Sequence, residues 1–281
     1  MASPTLTRDI QHFYDASTPL WESIWGEHLH HGYYGGDGEE RKDPLQAQID
    51  LVETLRRFGG LTEAGRILDV GCGVGGSSLH LARALGAEVV GITLSPVQVE
   101  SARARARAAG LSDRVRFAVA DAMAPSGESG SYDAIWALES AEHFPDKAGW
   151  LRVCADKLRP GGRFVAATWC IRPTPPELSP GDWQLLRRLG EAYHLPNMIS
   201  LPAYLDLLPA CGFTEVRGED WTGAVAPFWG DVLRSALRPA GIVGLLRAGW
   251  PTIRGALAMR HMMWGYRRGL IRFGVFCGIK G

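Results

Sequence analysis

Short apolar runs alternate with longer amphipathic stretches through the middle of the chain. The run Ile67-Leu68-Asp69-Val70 reads as a strand, followed by a helix over 77–85, a strand over 88–92, a helix over 96–109 and a strand over 114–120. The alternation then repeats, with strands over 132–138 and 162–168 around a helix over 145–158. Buried-looking strands joined by helices of this length predict right-handed crossovers and a parallel sheet covered on both faces. Pro96 suits a first helical turn, where its missing N–H costs little, and Gly110 suits a helix C-terminus. Residues 8–58 carry aromatic-rich, helix-compatible segments around a glycine-rich loop at 35–38. Beyond Thr168 a proline-rich connection (Pro173, Pro175, Pro176, Pro180) leads to a helical stretch and a strand over 212–220. The flanks hold too few strands for a second sheet, so one domain is expected.

Composition narrows the class without naming it. The chain has 281 residues and is 46% apolar, enough for a substantial core, and its 30 basic and 30 acidic side chains cancel, which argues against nucleic acid. Cys72, Cys154, Cys170, Cys211 and Cys277 are widely spaced with no C-x-x-C pair, so neither a disulfide framework nor a zinc site is expected, and a reducing, cytoplasmic setting follows. Residues 1–11 lack the basic start and apolar run of a secretory signal, and no run of about 18 apolar residues suggests a membrane span. Arg103, Arg105 and Arg107 read as a solvated helix face.

The candidate chemistry lies at the strand ends. Gly71, Gly73 and Gly76 follow G-x-G-x-x-G between a strand and a helix, a spacing that lets a ligand approach the backbone at a helix N-terminus. Asp69, two residues earlier, suits the cationic amine of S-adenosylmethionine and serves a dinucleotide pyrophosphate poorly. NAD is further weakened because the second strand ends in Gly91-Ile92-Thr93-Leu94-Ser95 without an acid; Thr93 and Gln98 offer neutral hydrogen bonds there instead. Asp121 and Ala122 follow the third strand, where the carboxylate can accept from an adenine amino group or cap a helix. The fourth strand delivers Glu139, Glu142 and His143 to the same edge. A histidine titrating near 6.5 there would help ionise a phenol, which is only about 0.1% ionised at pH 7; the plainer reading makes His143 a helix cap. In Glu27-His28-Leu29-His30-His31-Gly32, substrate contact by His30 and His31 is expected ahead of aromatic packing or metal binding, since no second cluster completes a metal shell. Tyr14 and Asp15 form a polar-aromatic pair able to close over the cofactor.

With these residues in place, the chain resembles the tocopherol O-methyltransferases, or gamma-tocopherol methyltransferases, of cyanobacteria and plants. The likeness runs through Phe-Tyr-Asp at 13–15, Trp-Gly-Glu-His-Leu-His-His-Gly-Tyr-Tyr at 25–34, Asp-Val-Gly-Cys-Gly-Val-Gly-Gly at 69–76 and Gly-Ile-Thr-Leu-Ser-Pro-Val-Gln at 91–98. It continues through Glu-Ser-Ala-Glu-His-Phe-Pro-Asp at 139–146, Leu-Leu-Arg-Ala-Gly-Trp at 245–250 and Gly-Leu-Ile-Arg-Phe-Gly at 269–274. Ala141, Phe144 and Ile171 depart from the family's usual Gly, Met and His.

The resemblance implies an α/β class I S-adenosylmethionine-dependent methyltransferase, with a Rossmann-like, seven-stranded, mostly parallel sheet and helical N-terminal and C-terminal caps. It implies a lid over 1–60, a cofactor core over 61–170, a substrate cap over 171–272 that includes a sixth strand parallel to its neighbours, and a last strand over 273–281. The implied reaction is C-methylation of the chromanol ring, gamma- to alpha-tocopherol and delta- to beta-tocopherol. Alternatives are N- or C-methylation of an alkaloid or quinol, and a non-catalytic prenyl-lipid carrier. From residue 228 onward nine basic residues face one acid, Asp231, amid apolar side chains such as Leu237, Ile242, Leu246, Trp250 and Trp264. That pattern suits either an ordinary helical cap or a membrane-facing lid, lying peripherally on a thylakoid or other internal membrane, for a substrate with a phytyl tail.

Overall fold

The computed structural model describes residues 4–125, 127–236 and 249–281. In chain order the elements are α1 (Pro4–Trp25), α2 (Pro44–Phe58), β1 (Arg66–Val70), α3 (Gly76–Leu85), β2 (Glu88–Thr93), α4 (Pro96–Ala108), β3 (Val115–Val119) and β4 (Tyr132–Leu138). A single 3-10 turn (Ala141–His143) precedes α5 (Lys147–Lys157), β5 (Leu158–Ile171), α6 (Pro180–Tyr193), α7 (Leu201–Ala210) and β6 (Phe213–Asp220). The chain closes with α8 (Thr222–Val225), α9 (Phe228–Ala236), α10 (Gly249–Arg267) and β7 (Ile271–Lys280).

The seven strands form one sheet in the order β3-β2-β1-β4-β5-β7-β6. Strands β1 to β5 pair in parallel, as their apolar runs predict, and each sends alternate side chains to opposite faces. Ile67, Ala134, Trp136, Val165 and Val275 join one core with Leu51 and Leu55 of α2. Leu68, Ile135, Ala137, Phe164 and Phe276 join the other with Trp150 of α5 and Tyr204 of α7. Strand β7 pairs antiparallel with both β5 and β6, so β6 runs in the same direction as β1 to β5 although its own sheet partner, β7, returns against it. Strand β5 also extends beyond the expected 162–168, because β7 continues its hydrogen-bonded ladder to Ile171.

The strand order reverses at β1, with β2 on one side and β4 on the other, which opens a crevice at their C-terminal ends. Helices α4 and α6 begin on side-chain caps, Ser95 accepting from the Gln98 amide and Ser179 forming a reciprocal box with Asp182. Helix α3 begins on Gly75 with no side-chain cap. Its first amides are therefore left to whatever occupies the crevice.

Over this crevice lies α1, fastened to α4 by a row of polar contacts. Asp15 accepts from the Ser95 hydroxyl, the Gln98 amide meets the Thr18 hydroxyl at 3.3 Å, and Arg105 binds Glu22 at 2.9 Å. Arg105 is thus a clamp on the N-terminal helix rather than part of a solvated face. Residues 245–248 of the 245–250 block, Arg247 among them, and the side chains of residues 249–256, Arg254 among them, lie outside the described residues.

Candidate active site

The turn from β1 to α3 shows why its glycines are there. Gly71, Gly73 and Gly75 have φ of 79°, 53° and 89°, in the left-handed region that other residues enter only at a cost. A Cβ on Gly71 would lie 2.3 Å from that of Ser140, and one on Gly76 would lie 2.3 Å from the Glu27 carbonyl. A Cβ on Gly73 would meet nothing within 4 Å, because it faces open space. The third glycine of the spacing therefore admits the N-terminal arm, whereas the second borders the ligand crevice.

That crevice encloses about 1090 Å³, part of it open to solvent, and every residue expected at the cofactor lines it: Tyr14, Asp69, Gly71, Gly73, Thr93, Gln98, Asp121, Ala122 and Glu139. Asp69 is 2% exposed and accepts from the Ser78 hydroxyl at 2.6 Å. Burial pushes its carboxyl up to about 7, with the Ser78 bond pulling the other way. Thr93 donates to Gln98 at 2.6 Å, so these two residues are joined to each other and, through Thr18, to α1. Asp121 accepts from the Met123 amide at 2.9 Å, closing a turn instead of capping a helix.

The histidine block divides between two spaces. His30 borders the crevice, and its Nδ1 faces the His31 carbonyl at 2.8 Å. The proton must then sit on Nδ1, which leaves Nε2 of the neutral ring to accept from His28 Nδ1 at 2.9 Å. Burial lowers the pKa of both rings, that of His28 to about 2. The Gln48 side chain braces the arm by donating to the His28 and His30 carbonyls at 2.9 and 2.8 Å. His31 turns the other way: its backbone N–H and Nδ1 both reach the Glu139 carboxylate, at 2.7 and 2.9 Å.

Glu142 and His143 have environments that their sequence position did not show. His143 Nδ1 faces the His194 carbonyl at 3.3 Å, so its Nε2 accepts from the Tyr14 hydroxyl at 2.8 Å. Burial lowers its pKa to about 4 instead of leaving it near 6.5, and its lone pair is already engaged. Glu142 lines neither space; it lies 2% exposed behind the site, accepting from the Thr168 hydroxyl at 2.5 Å. Burial and the nearby Glu139 carboxylate push its pKa up to about 7. Lys147 holds this turn by donating to the carbonyls of Ala141, Glu142 and Phe144.

A second cavity of about 810 Å³ adjoins the first and shares Tyr14, Leu29, Glu139 and His143 with it. Apart from Ser17 and Met259 its remaining walls are aromatic: Phe13, Trp21, Trp25 and His31 from the N-terminal arm, Trp169 at the end of β5, Tyr193 of α6, and Phe228 and Trp229 of α9. The His31 ring sits among Phe228, Trp229 and Phe273 at centroid distances of 4.5, 5.2 and 5.2 Å. Its Nε2 is 3.4 Å from the Tyr266 hydroxyl, a loose contact. Nothing in the linear chain singles out Trp169, Tyr193, Phe228 or Trp229, since aromatic residues far apart in sequence carry no spacing signal. No cluster of metal-ligating side chains occurs among the described residues.

Comparison with known proteins follows the same lines. A methyltransferase domain family matches residues 67–162. The probable chloroplastic tocopherol O-methyltransferase of Oryza sativa subsp. japonica is 43% identical over 279 residues, covering 96% of this chain and 77% of that protein. The 2-methyl-6-phytyl-1,4-hydroquinone methyltransferase of Synechocystis sp. is 35% identical over 273 residues, covering 93% of this chain and 83% of that protein. Among solved structures, the cyclase SpnF is similar with a TM-score of 0.82 at 28% identity, covering 98% of this chain and 96% of that one.

Proposed function

The chain belongs to the tocopherol O-methyltransferase family and is an S-adenosylmethionine-dependent methyltransferase of vitamin E biosynthesis; on that premise we propose that it methylates the chromanol ring carbon beside the phenolic hydroxyl, converting gamma- to alpha-tocopherol and delta- to beta-tocopherol. The observation that carries this reading is the shared wall. A ring held in the aromatic cavity and a donor held in the glycine-lined crevice meet at Tyr14, Leu29, Glu139 and His143. Such alignment within about 3 to 3.5 Å is what methyl transfer demands of a binding site.

The crevice fits the cofactor in its donor set and in its space. Asp69 offers a buried carboxylate for the amine, Asp121 and the Thr93–Gln98 pair offer anionic and neutral acceptors, and the Gly73 position keeps an opening that any side chain would enter. Bound S-adenosylmethionine supplies an electrophilic methyl group. The protein itself has to make the acceptor ring electron-rich and to keep water out. His31 is the group suited to activating the ring. Glu139 holds its Nδ1–H, fixing the tautomer, so Nε2 is the nitrogen placed to take the phenolic proton. Tyr14 and His143 help to exclude water by joining α1 to the 3-10 turn across the shared wall. Residues 1–60 then act as lid and 171–272 as acceptor cap, at the surface of an internal membrane that holds the lipid.

A second acceptor, a phytyl-substituted hydroquinone, is favoured by the 35% identity to the Synechocystis enzyme. One assay separates the readings: methyl transfer with gamma-tocopherol, delta-tocopherol, 2-methyl-6-phytyl-1,4-hydroquinone and an indole alkaloid side by side. Turnover led by the two tocopherols is expected. Preference for the hydroquinone or the alkaloid would replace the chromanol reading, and no product with any acceptor would point to a carrier.

A further inference from the structure

The helices that wall the aromatic cavity have a second, outward face. Tyr193 of α6 and Met259 of α10 look into the cavity, and the two helices pack against each other. On the far side of α10, Leu257, Arg260, Trp264 and Arg267 are exposed, with exposed Arg268 just beyond its end, whereas Ala258, Met262, Gly265 and Tyr266 are buried, so the exposed positions form one stripe of the helix. Beyond its first two residues α6 exposes Trp183, Gln184, Arg187, Arg188 and Glu191, against buried Asp182, Leu185 and Leu189.

The stripes lie side by side. Arg268 binds Asp182 at 3.0 Å across the seam, and further along Arg188 and Arg260 both bear on His261, whose pKa burial and these two cations lower. Arg268 also lies over the Trp264 ring, 5.5 Å from its centroid.

This face is unusual in two respects at once. Trp183, Leu257 and Trp264 are 59%, 56% and 52% exposed, so two indoles and a leucine stand in water. Around them, among the described residues of the two stripes, five arginines face one exposed carboxylate, Glu191, and the buried Asp182 that Arg268 holds. Indoles prefer the boundary between water and hydrocarbon, and a one-sign basic rim selects an anionic surface. A basic partner is excluded by the same charges. The face also extends beyond the segment that the sequence marked, since Trp183, Arg187 and Arg188 precede residue 228.

We propose that the outer face of α6 and α10 docks on an anionic lipid surface, the two tryptophans seated among the headgroups. The proposal rests on the preceding functional reading in taking the acceptor to be a membrane lipid. Docking on this face would set the back wall of the acceptor cavity against the bilayer, so a tailed substrate need not cross bulk water.

The test is sedimentation of the whole chain with vesicles of phosphatidylcholine alone and with phosphatidylglycerol added. Binding is expected on the anionic vesicles, with release by salt. Each basic side chain contributes about fivefold near such a surface, so R187E/R260E is expected to lose more than about tenfold in vesicle affinity. W183S/W264S is expected to weaken binding while keeping its salt response. Melting temperature and turnover on a tail-less chromanol in solution report that the variants are folded. Equal sedimentation of the parent chain and both variants, or no binding by the parent chain, overturns the proposal. So does conversion of a dimer to a monomer in W183S/W264S with sedimentation unchanged, which would make the face a contact between copies. Because the vesicles contain no acceptor, an error in the acceptor would appear in the turnover assay and leave the vesicle result standing.

Discussion

Burial holds the Asp69 carboxyl near neutrality, pushed up to about 7 even with Ser78 donating to it, so the cofactor-free protein at pH 6 keeps it largely protonated. A cationic amine needs the carboxylate. Cofactor affinity is therefore expected to fall as the pH drops below about 7, by up to about tenfold per unit, and calorimetry on Asp69→Asn should show weaker binding with that dependence gone. For stability the sign is opposite to that of a salt-bridged acid. The folded pKa is raised above the ordinary 3.8, so the contribution is complete below that value and is lost as pH rises through about 7. The proton-accepting role is tested on the two histidines. His31→Asn keeps a donor for Glu139 but removes Nε2, and is expected to lower kcat by about 10² or more with cofactor affinity retained. His143→Gln should cost less than about tenfold; the reverse order would return the base to His143. Both histidines and Glu139 were legible as candidates, but their division of labour was not. His31 and Glu139 are 108 residues apart, and only the folded arm joins them. Glu142 and His143 are adjacent, yet a 3-10 turn sends one into the core and the other to the cavity wall.

The glycine turn and the N-terminal arm are packed as one unit, and two neighbouring substitutions should separate their roles. Gly73→Ala adds a methyl group to open space and costs about 1–2 kcal/mol for its left-handed backbone, so a folded protein with much weaker cofactor binding is expected. Gly76→Ala drives a methyl group into the Glu27 carbonyl and the His28 ring, so it should loosen residues 4–31 instead. Limited proteolysis checks this: early cleavage in the arm is expected for Gly76→Ala and not for Gly73→Ala, and the same pattern in both would sink the distinction. Elements with a strong period were legible without structure. The strands β1 to β4 and helices α3 to α5 fall within a few residues of their expected places, because an apolar run buried on both faces leaves an unmistakable trace. The aromatic cavity left none. Its walls come from α1, β5, α6, α9 and α10, and each aromatic residue reads locally as core.

At the scale of the whole molecule, the balanced charge conceals a basic end, with nine cations and one acid from residue 228 onward. The structure extends that polarity to α6, which the linear sequence could not reveal, since α6 and α10 meet only after the chain between them has folded. The sheet order carries a larger consequence. Strand β7 comes last along this chain but sits inside the sheet, between β5 and β6, and β6 has β7 as its sheet partner. Deleting 271–281 is therefore expected to leave β5 with an open edge and β6 unpaired, giving insoluble protein instead of a shortened enzyme; a soluble truncated chain with an intact melting transition would contradict this. During synthesis the strands β1 to β5 can assemble while the ribosome is still at work. The aromatic cavity cannot, because Trp169 stands on β5 while Phe228, Trp229 and Met259 belong to the chain that β7 draws back against it. A nascent chain thus has every residue that lines its glycine-bordered crevice before the last wall of its aromatic cavity has been made.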